Sequence, residues 1–190
     1  MTEFDLGTAL LALARAAIAE KLGLASALDA VSHARLEVRS ATFVTLKQAG
    51  SLRGCVGSLQ ATRALREDVR ANAVAAAFRD PRFAPLEASE LTRTSLEVSL
   101  LSAGERIDAA SETELLAQLR PGVDGVTLEY GRHRATLLPQ VWERVSEPRE
   151  FLAALRLKAG LPEDFWNEGM LLSRYGVVTW KEQEPLLDTQ

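Results

Sequence analysis

Cys55 is the only cysteine of the 190-residue chain. It stands in Leu52-Arg53-Gly54-Cys55-Val56-Gly57, between two glycines and two residues from an arginine. A thiolate attacks carbonyl, phosphoryl or alkylating centres. By the two-residue period of a strand, Arg53, Cys55 and Gly57 share one face and Leu52, Gly54 and Val56 the other. A guanidinium on the thiol's face favours thiolate, so Cys55 is the candidate nucleophile and Arg53 the group that tunes it. Glycine inside a strand marks a bulge or a place where something approaches the backbone closely, which makes Gly54 and Gly57 candidates for ligand contact. Downstream lies Arg79-Asp80-Pro81-Arg82-Phe83. Guanidinium forks match carboxylates and phosphates, so Arg79 and Arg82 could clamp an anion, with Asp80 and Phe83 shaping the loop around it. Glu97, on a strand face otherwise lined by serine, is the candidate acid, base or orienting group.

Each of these residues has a plainer reading. Free cysteine is most often a small buried hydrophobe, the loop charges can form a local network, and Glu97 can be an ordinary outward strand residue. If Glu97 lay beside Cys55, its charge would oppose Arg53. His33 and His133 both fall in turns, with nothing in the sequence to bring either to Cys55. One cysteine and two scattered histidines lack the paired spacing of a zinc site. A phosphate-binding glycine loop and a Gly-x-Ser-x-Gly elbow are absent, and no metal or cofactor is expected.

Composition narrows the classes. Lys and Arg number 22 against 26 Asp and Glu, a net charge of −4, with the two signs mixed along the chain. A nucleic-acid binder shows a basic face, so nucleic acid is not an expected partner. No apolar run is long enough for a bilayer. Glu3 and Asp5 sit where a leader would carry positive charge, and one cysteine makes no internal disulfide. The expected setting is the cytoplasm, with Cys55 reduced and no membrane partner. A hydrophobic content of 47% supports one sizeable core or two smaller ones.

The elements that must position these groups follow from periodicity. Leu6, Leu10, Leu13 and Ala17 predict a helix stopped at Leu22-Gly23. Residues 24–40 show no period and predict a connection with a short helical turn. Thr42–Leu46 and Leu52–Leu59 predict a hairpin turned by Gln48-Ala49-Gly50-Ser51. Thr62 predicts a cap for a helix buried through Leu65, Val69, Ala73 and Ala76 and ended by Asp80-Pro81. Ala71–Ala77 is small-sided enough for another element to pack very close. Pro85 keeps Arg82–Leu86 irregular. Leu96, Val98 and Leu100 alternate with Ser95, Glu97 and Ser99 as a strand. Ser111 and Glu114 form a capping box for a short helix reaching Leu119. A second hairpin follows around Gly131, between Val123–Tyr130 and Ala135–Leu138. A helical region from Gln140 closes with Phe151–Lys158, Gly160 and Pro162, and Tyr175–Lys181 forms a last strand. Val44-Thr45-Leu46 and Val126-Thr127-Leu128 each begin a hairpin-plus-helix unit, a weak internal echo. Trp142, Trp166 and Trp180 read as core or lobe-interface anchors.

Together, Phe43-Val44-Thr45-Leu46, Leu52–Gly57, Ala75-Ala76-Ala77-Phe78-Arg79-Asp80-Pro81-Arg82-Phe83 and Leu96-Glu97-Val98-Ser99 resemble the AMMECR domain family. Gly125-Val126, Leu137-Leu138-Pro139-Gln140-Val141 and Lys158-Ala159-Gly160-Leu161 are similar to its later motifs. Val56 departs from the family's usual Ile after the cysteine. The resemblance covers about residues 40–182, and residues 1–35 carry no motif. It implies one α+β domain over 1–190, with two unequal lobes and a mostly antiparallel or mixed sheet flanked by helices. It also implies the company of a Memo-like protein and a radical SAM protein, without delivering an activity. Two functions stand side by side. One is a cysteine-centred site that acts on or binds a small anionic ligand. The other is a non-catalytic adaptor for the Memo-like and radical SAM partners.

Overall fold

The computed structural model describes residues 3–25 and 32–183. In chain order its elements are α1 (Glu3–Lys21), β1 (Arg39–Gln48), β2 (Ser51–Gly57), β3 (Arg63–Ala64), α2 (Leu65–Phe78), α3 (Ala88–Leu91) and β4 (Ser95–Leu101). They continue with β5 (Glu105–Ile107), α4 (Glu112–Gln118), β6 (Gly125–Tyr130), β7 (His133–Leu137), α5 (Pro148–Lys158), β8 (Leu171–Tyr175) and β9 (Val177–Lys181). Single 3₁₀ turns occupy Ala34–Glu37 and Pro139–Glu143. Helices and antiparallel sheets make this an α+β fold, gathered into two compact units: the chain up to Leu101 together with its end from Val178, and Ser102–Val177.

In the first unit the sheet runs β2-β1-β4-β9, with β3 beside the start of β1. One face packs on α1 and α2. Leu6, Leu10, Leu13, Ala14 and Ile18 of α1 are fully buried, following the helical repeat that predicts the element. They meet Val44 and Leu46 of β1, Leu96 and Val98 of β4, and Leu65, Val69, Ala73 and Ala76 of α2 in one core. Each fully buried leucine contributes roughly 1.5–3 kcal/mol relative to an exposed one. The small stripe on α2 has a definite use: a Cβ at Gly54 of β2 would overlap the backbone carbonyl oxygen of Ala76. Alanine on the helix and glycine on the strand bring the two backbones into contact. The helix ends where Arg79 N–H closes on Ala75 O and Asp80-Pro81 follows.

In the second unit the order is β5-β8-β6-β7, with α5 against β6 and β7. Its core is separate, built on Leu115, Val126, Leu128, Phe151, Leu152 and Leu155. Trp142 stacks on Phe151 at 3.9 Å between centroids and donates its indole N–H to Asp124 O at 2.7 Å. Trp166 packs partly buried against this core, and Trp180 packs on the first core. The sequence echo has a topological counterpart. In each unit a hairpin is followed by a helix and then by a strand on the far side of the hairpin's first strand: β2-β1-β4 in one, β7-β6-β8 in the other.

Several boundaries move. Thr62 does not cap α2. The helix starts at Leu65 after extended Ala64, because Arg63 and Ala64 pair with Ser40 and Arg39 of β1. The returning strand of the first hairpin ends at Gly57 rather than Leu59, and Ser58 turns its hydroxyl to Asp68. The last strand is two: Gly176 separates β8 from β9. Residues 26–31 of the predicted connection lie outside the described residues.

Candidate functional site

The β1–β2 hairpin turns at Ala49-Gly50, both at positive φ, which is the two-residue turn that suits a twisted hairpin. Counted back from that turn, a regular register sets Cys55 opposite Val44 and turns the thiol into the core. The register instead slips. Lys47 pairs with Leu52 and Leu46 with Gly54, leaving Arg53 as an extra residue on β2. This is a β-bulge, and a one-residue slip reverses the face of every residue beyond it. Cys55 therefore pairs with Thr45, while Gly54 and Val56 turn inward opposite Leu46 and Val44. Thr45 also pairs with Glu97 across β4. Cys55, Thr45 and Glu97 thus form one row on the face opposite α1 and α2. Cys55 is half-buried, and its sulfur accepts the Thr45 hydroxyl at 3.3 Å. The next row holds Gly57, Phe43 and Ser99; the missing side chain at Gly57 is filled by the Phe43 ring.

β2 is an edge strand, and the Arg79–Phe83 loop closes that edge. The Cys55 N–H donates to Asp80 Oδ2 at 2.9 Å. Arg82 grips the same carboxylate with Nε at 2.9 Å and Nη2 at 2.7 Å, and its Nη2 reaches Cys55 O at 3.4 Å. Both outward backbone groups of Cys55 therefore find a partner in one ion pair, which also blocks a foreign strand from adding here. Asp80 is 4% exposed. The Arg82 guanidinium holds its carboxyl far below the usual range against the effect of burial, helped by the N–H groups of Cys55 and Arg82. Arg82 is pushed up in turn, chiefly by its bond to Asp80, with a smaller attraction from a Cys55 thiolate. The Arg82 side chain is 53% exposed and lies 5.4 Å from the centroid of the Phe83 ring.

The bulge changes the place of Arg53. It does not join Cys55 as the two-residue period predicts, because the alternation breaks at Arg53 itself. Its Nε and Nη2 hold Glu90 at 3.1 and 3.0 Å, and Nη1 holds Ala84 O at 2.9 Å. Glu90 is lowered to about 2, first by Arg53 and then by the Glu87 N–H and Gln48. Glu97 takes Lys47 at 2.7 Å and Lys181 at 3.4 Å rather than an arginine. It stands two strands from Cys55, about 10 Å by strand spacing, so it makes no direct bond to the thiol. Arg79 leaves the site altogether. It lines a cavity of about 700 Å³ between α1 and α2 with Glu20, Lys21, Arg66 and Arg70. His33 caps a 3₁₀ turn and His133 bonds Ala159 O in the second unit, so neither reaches Cys55.

Sequence reasoning misses Thr45, Lys47, Lys181 and Glu90, whose roles depend on register and on long-range pairing. It also misses a buried polar cluster beside the site. Asp68, fully buried, accepts from Thr42 N–H and hydroxyl, Ser58, Asn72 and Arg63. The signal was available: Asp68 and Asn72 flank Val69 and Ala73 on the buried side of α2. Among the described residues no group of acids, histidines and cysteine has metal-binding geometry, and no helix is long and apolar enough to cross a membrane.

Comparison with known proteins places this geometry in context. The AMMECR1 family model matches residues 11–180. A protein from Sulfolobus acidocaldarius is 37% identical over 186 residues, covering 94% of this chain and 82% of the relative. Protein MJ0810 from Methanocaldococcus jannaschii is 40% identical over 136 residues, covering 70% and 68%. The crystal structure of an uncharacterized protein, PH0010, from Pyrococcus horikoshii superposes with a TM-score of 0.79 at 32% identity, covering 93% of this chain and 91% of that one.

Proposed function

Because the chain belongs to the AMMECR1 family, we propose that the row around Cys55 is a thiol-centred site for a small anionic ligand. Cys55 supplies the sulfur that touches that ligand. The Thr45 hydroxyl orients the sulfur. Arg82 attracts the anion through Nη1, which has no hydrogen-bond partner among the described residues, while Nε and Nη2 are engaged by Asp80. Glu97 with its two lysines forms the far wall. The observation that carries this reading is the bulge at Arg53. It turns the one cysteine away from the core, and Asp80 and Arg82 then fix its backbone on both sides. A cysteine serving only as core filler needs neither device.

The test compares alkylation of Cys55 by iodoacetate, an anion, and by iodoacetamide, its neutral analogue. Arg82→Ala should lower the iodoacetate-to-iodoacetamide rate ratio by about two- to fivefold, the size of a screened charge contact near a surface. Arg82→Lys should restore part of it. A ratio unchanged in Arg82→Ala removes the anion-holding role.

A second reading has its own support. The thiol's hydrogen-bond partner is a hydroxyl donor rather than a base, which suits a docking face as well as a reactive one. In that reading the chain is an adaptor for the Memo-like and radical SAM partners that the family resemblance implies. Pull-down with those two proteins separates the readings: loss of capture in Arg82→Ala with Cys55→Ser unaffected favours the adaptor.

A further inference from the structure

Arg79 belongs to the loop motif beside Cys55 but takes no part in the network there. Its side chain is exposed and has no hydrogen-bond or ion-pair partner among the described residues. Elsewhere in the chain the guanidinium edge formed by Nε and Nη2 is filled by a carboxylate. Arg53 holds Glu90 at 3.1 and 3.0 Å, and Arg174 holds Glu105 at 3.1 and 2.8 Å. The negative end of α2 favours a cation where Arg79 stands. It does not supply the two in-plane oxygens that a guanidinium fork selects.

Arg79 lines the cavity of about 700 Å³ between α1 and α2, a volume within the range of roughly 300–1,000 Å³ of small-molecule sites. The cavity wall is mostly apolar, although charged residues predominate along it. Ala17 of α1 and Ala71 and Val74 of α2 form its floor. Arg66 and Arg70, one helical turn apart, are held by Glu37 at 3.1 Å and Glu20 at 2.9 Å, which leaves their methylene stems as wall. Lys21, at the end of α1, has no partner among the described residues. With Glu67 and Glu37 counted, four cations meet three acids, so one positive charge is left over. Arg79 stands five residues beyond Val74, about 7 Å of helical rise, at one end of the apolar floor.

We propose that this cavity binds a small monocarboxylate with an apolar body, an acyl or aryl carboxylic acid. Its carboxylate takes the fork of Arg79, with Lys21 adding attraction, and its body lies along Ala17, Ala71 and Val74. A dianion such as a phosphate monoester exceeds the one spare charge and meets Glu20 and Glu67. A neutral apolar compound leaves Arg79 unanswered. The site lies within the first unit and uses neither Cys55 nor Arg82.

The experiment is a thermal-shift titration of the full chain with hexanoate and with phenylacetate, confirmed by calorimetry. Acetate supplies the charge without the body, hexylammonium the body with the opposite charge, and hexyl phosphate the body with a second negative charge. Hexanoate or phenylacetate should raise Tm saturably, acetate and hexylammonium should not, and hexyl phosphate should bind more weakly than hexanoate. Arg79→Gln should weaken binding by about tenfold. Ala71→Leu fills the floor while leaving every charge in place, and should weaken binding at least as much. The proposal is overturned if neither acid shifts Tm, if acetate, hexylammonium or hexyl phosphate matches them, or if the folded variants bind like the wild type.

Discussion

Asp80 and Glu90 do most of the fixing around Cys55, and both do so as carboxylates. Asp80 bonds the Cys55 N–H and the Arg82 fork, and Glu90 bonds Arg53, Gln48 and the Glu87 N–H. Both titrate lower in the folded chain than their ordinary values of 3.8 and 4.5, Glu90 near 2 and Asp80 further down. An acid depressed on folding contributes stability that is complete above its unfolded value and lost as pH falls through its folded value. Stability should therefore hold down to about pH 4.5 and decline towards pH 2. Urea melts across that range will check it. Asp80→Asn should lower stability near neutral pH by about 1–3 kcal/mol and flatten the acid decline. An acid decline as steep in Asp80→Asn as in the wild type would contradict the assignment.

At the scale of elements, the first hairpin decides where Cys55 points. Its turn was legible from Gln48-Ala49-Gly50-Ser51, and so was the alternation on either side. Gly54 marked a bulge or a close approach, but nothing local distinguishes Arg53 as the extra residue. What selects it is the match of Val56 and Gly54 to the core and to the Ala76 carbonyl, both long-range. That single slip explains why Arg53 and Cys55 part company, and why Thr45 rather than Val44 faces the thiol. The same turn offers a test. Ala49 has φ +48°, a region that asparagine tolerates better than alanine. Ala49→Asn should stabilise the chain by roughly 0.5–1 kcal/mol, seen as a higher urea midpoint with unchanged slope. Destabilisation would show that the hairpin turn is not the one described.

At the scale of the whole molecule, two units each close their own core around the same hairpin-helix-strand topology. The helices with long apolar stripes, α1, α2 and α5, were legible because burial on one face imposes the 3.6-residue period. Short β5 and β8 were not: three residues from Glu105 owe their strand form to β8, and the Leu171–Tyr175 run, without clean alternation, owes its own to β6 and β5 on either side. The motif segments were legible as a family resemblance, but their division of labour was not. Arg82 turns to the edge of β2, while Arg79, three residues earlier, faces the α1–α2 cavity. The central claim is that this fold presents Cys55 as a contactable thiol rather than as core. The most direct measurement is the rate of Cys55 carbamidomethylation by iodoacetamide in the native protein, read by intact mass and compared with the rate in denaturant. The account predicts one modification per chain while the protein remains folded. Modification only as fast as the chain unfolds would contradict it and leave Cys55 a structural residue.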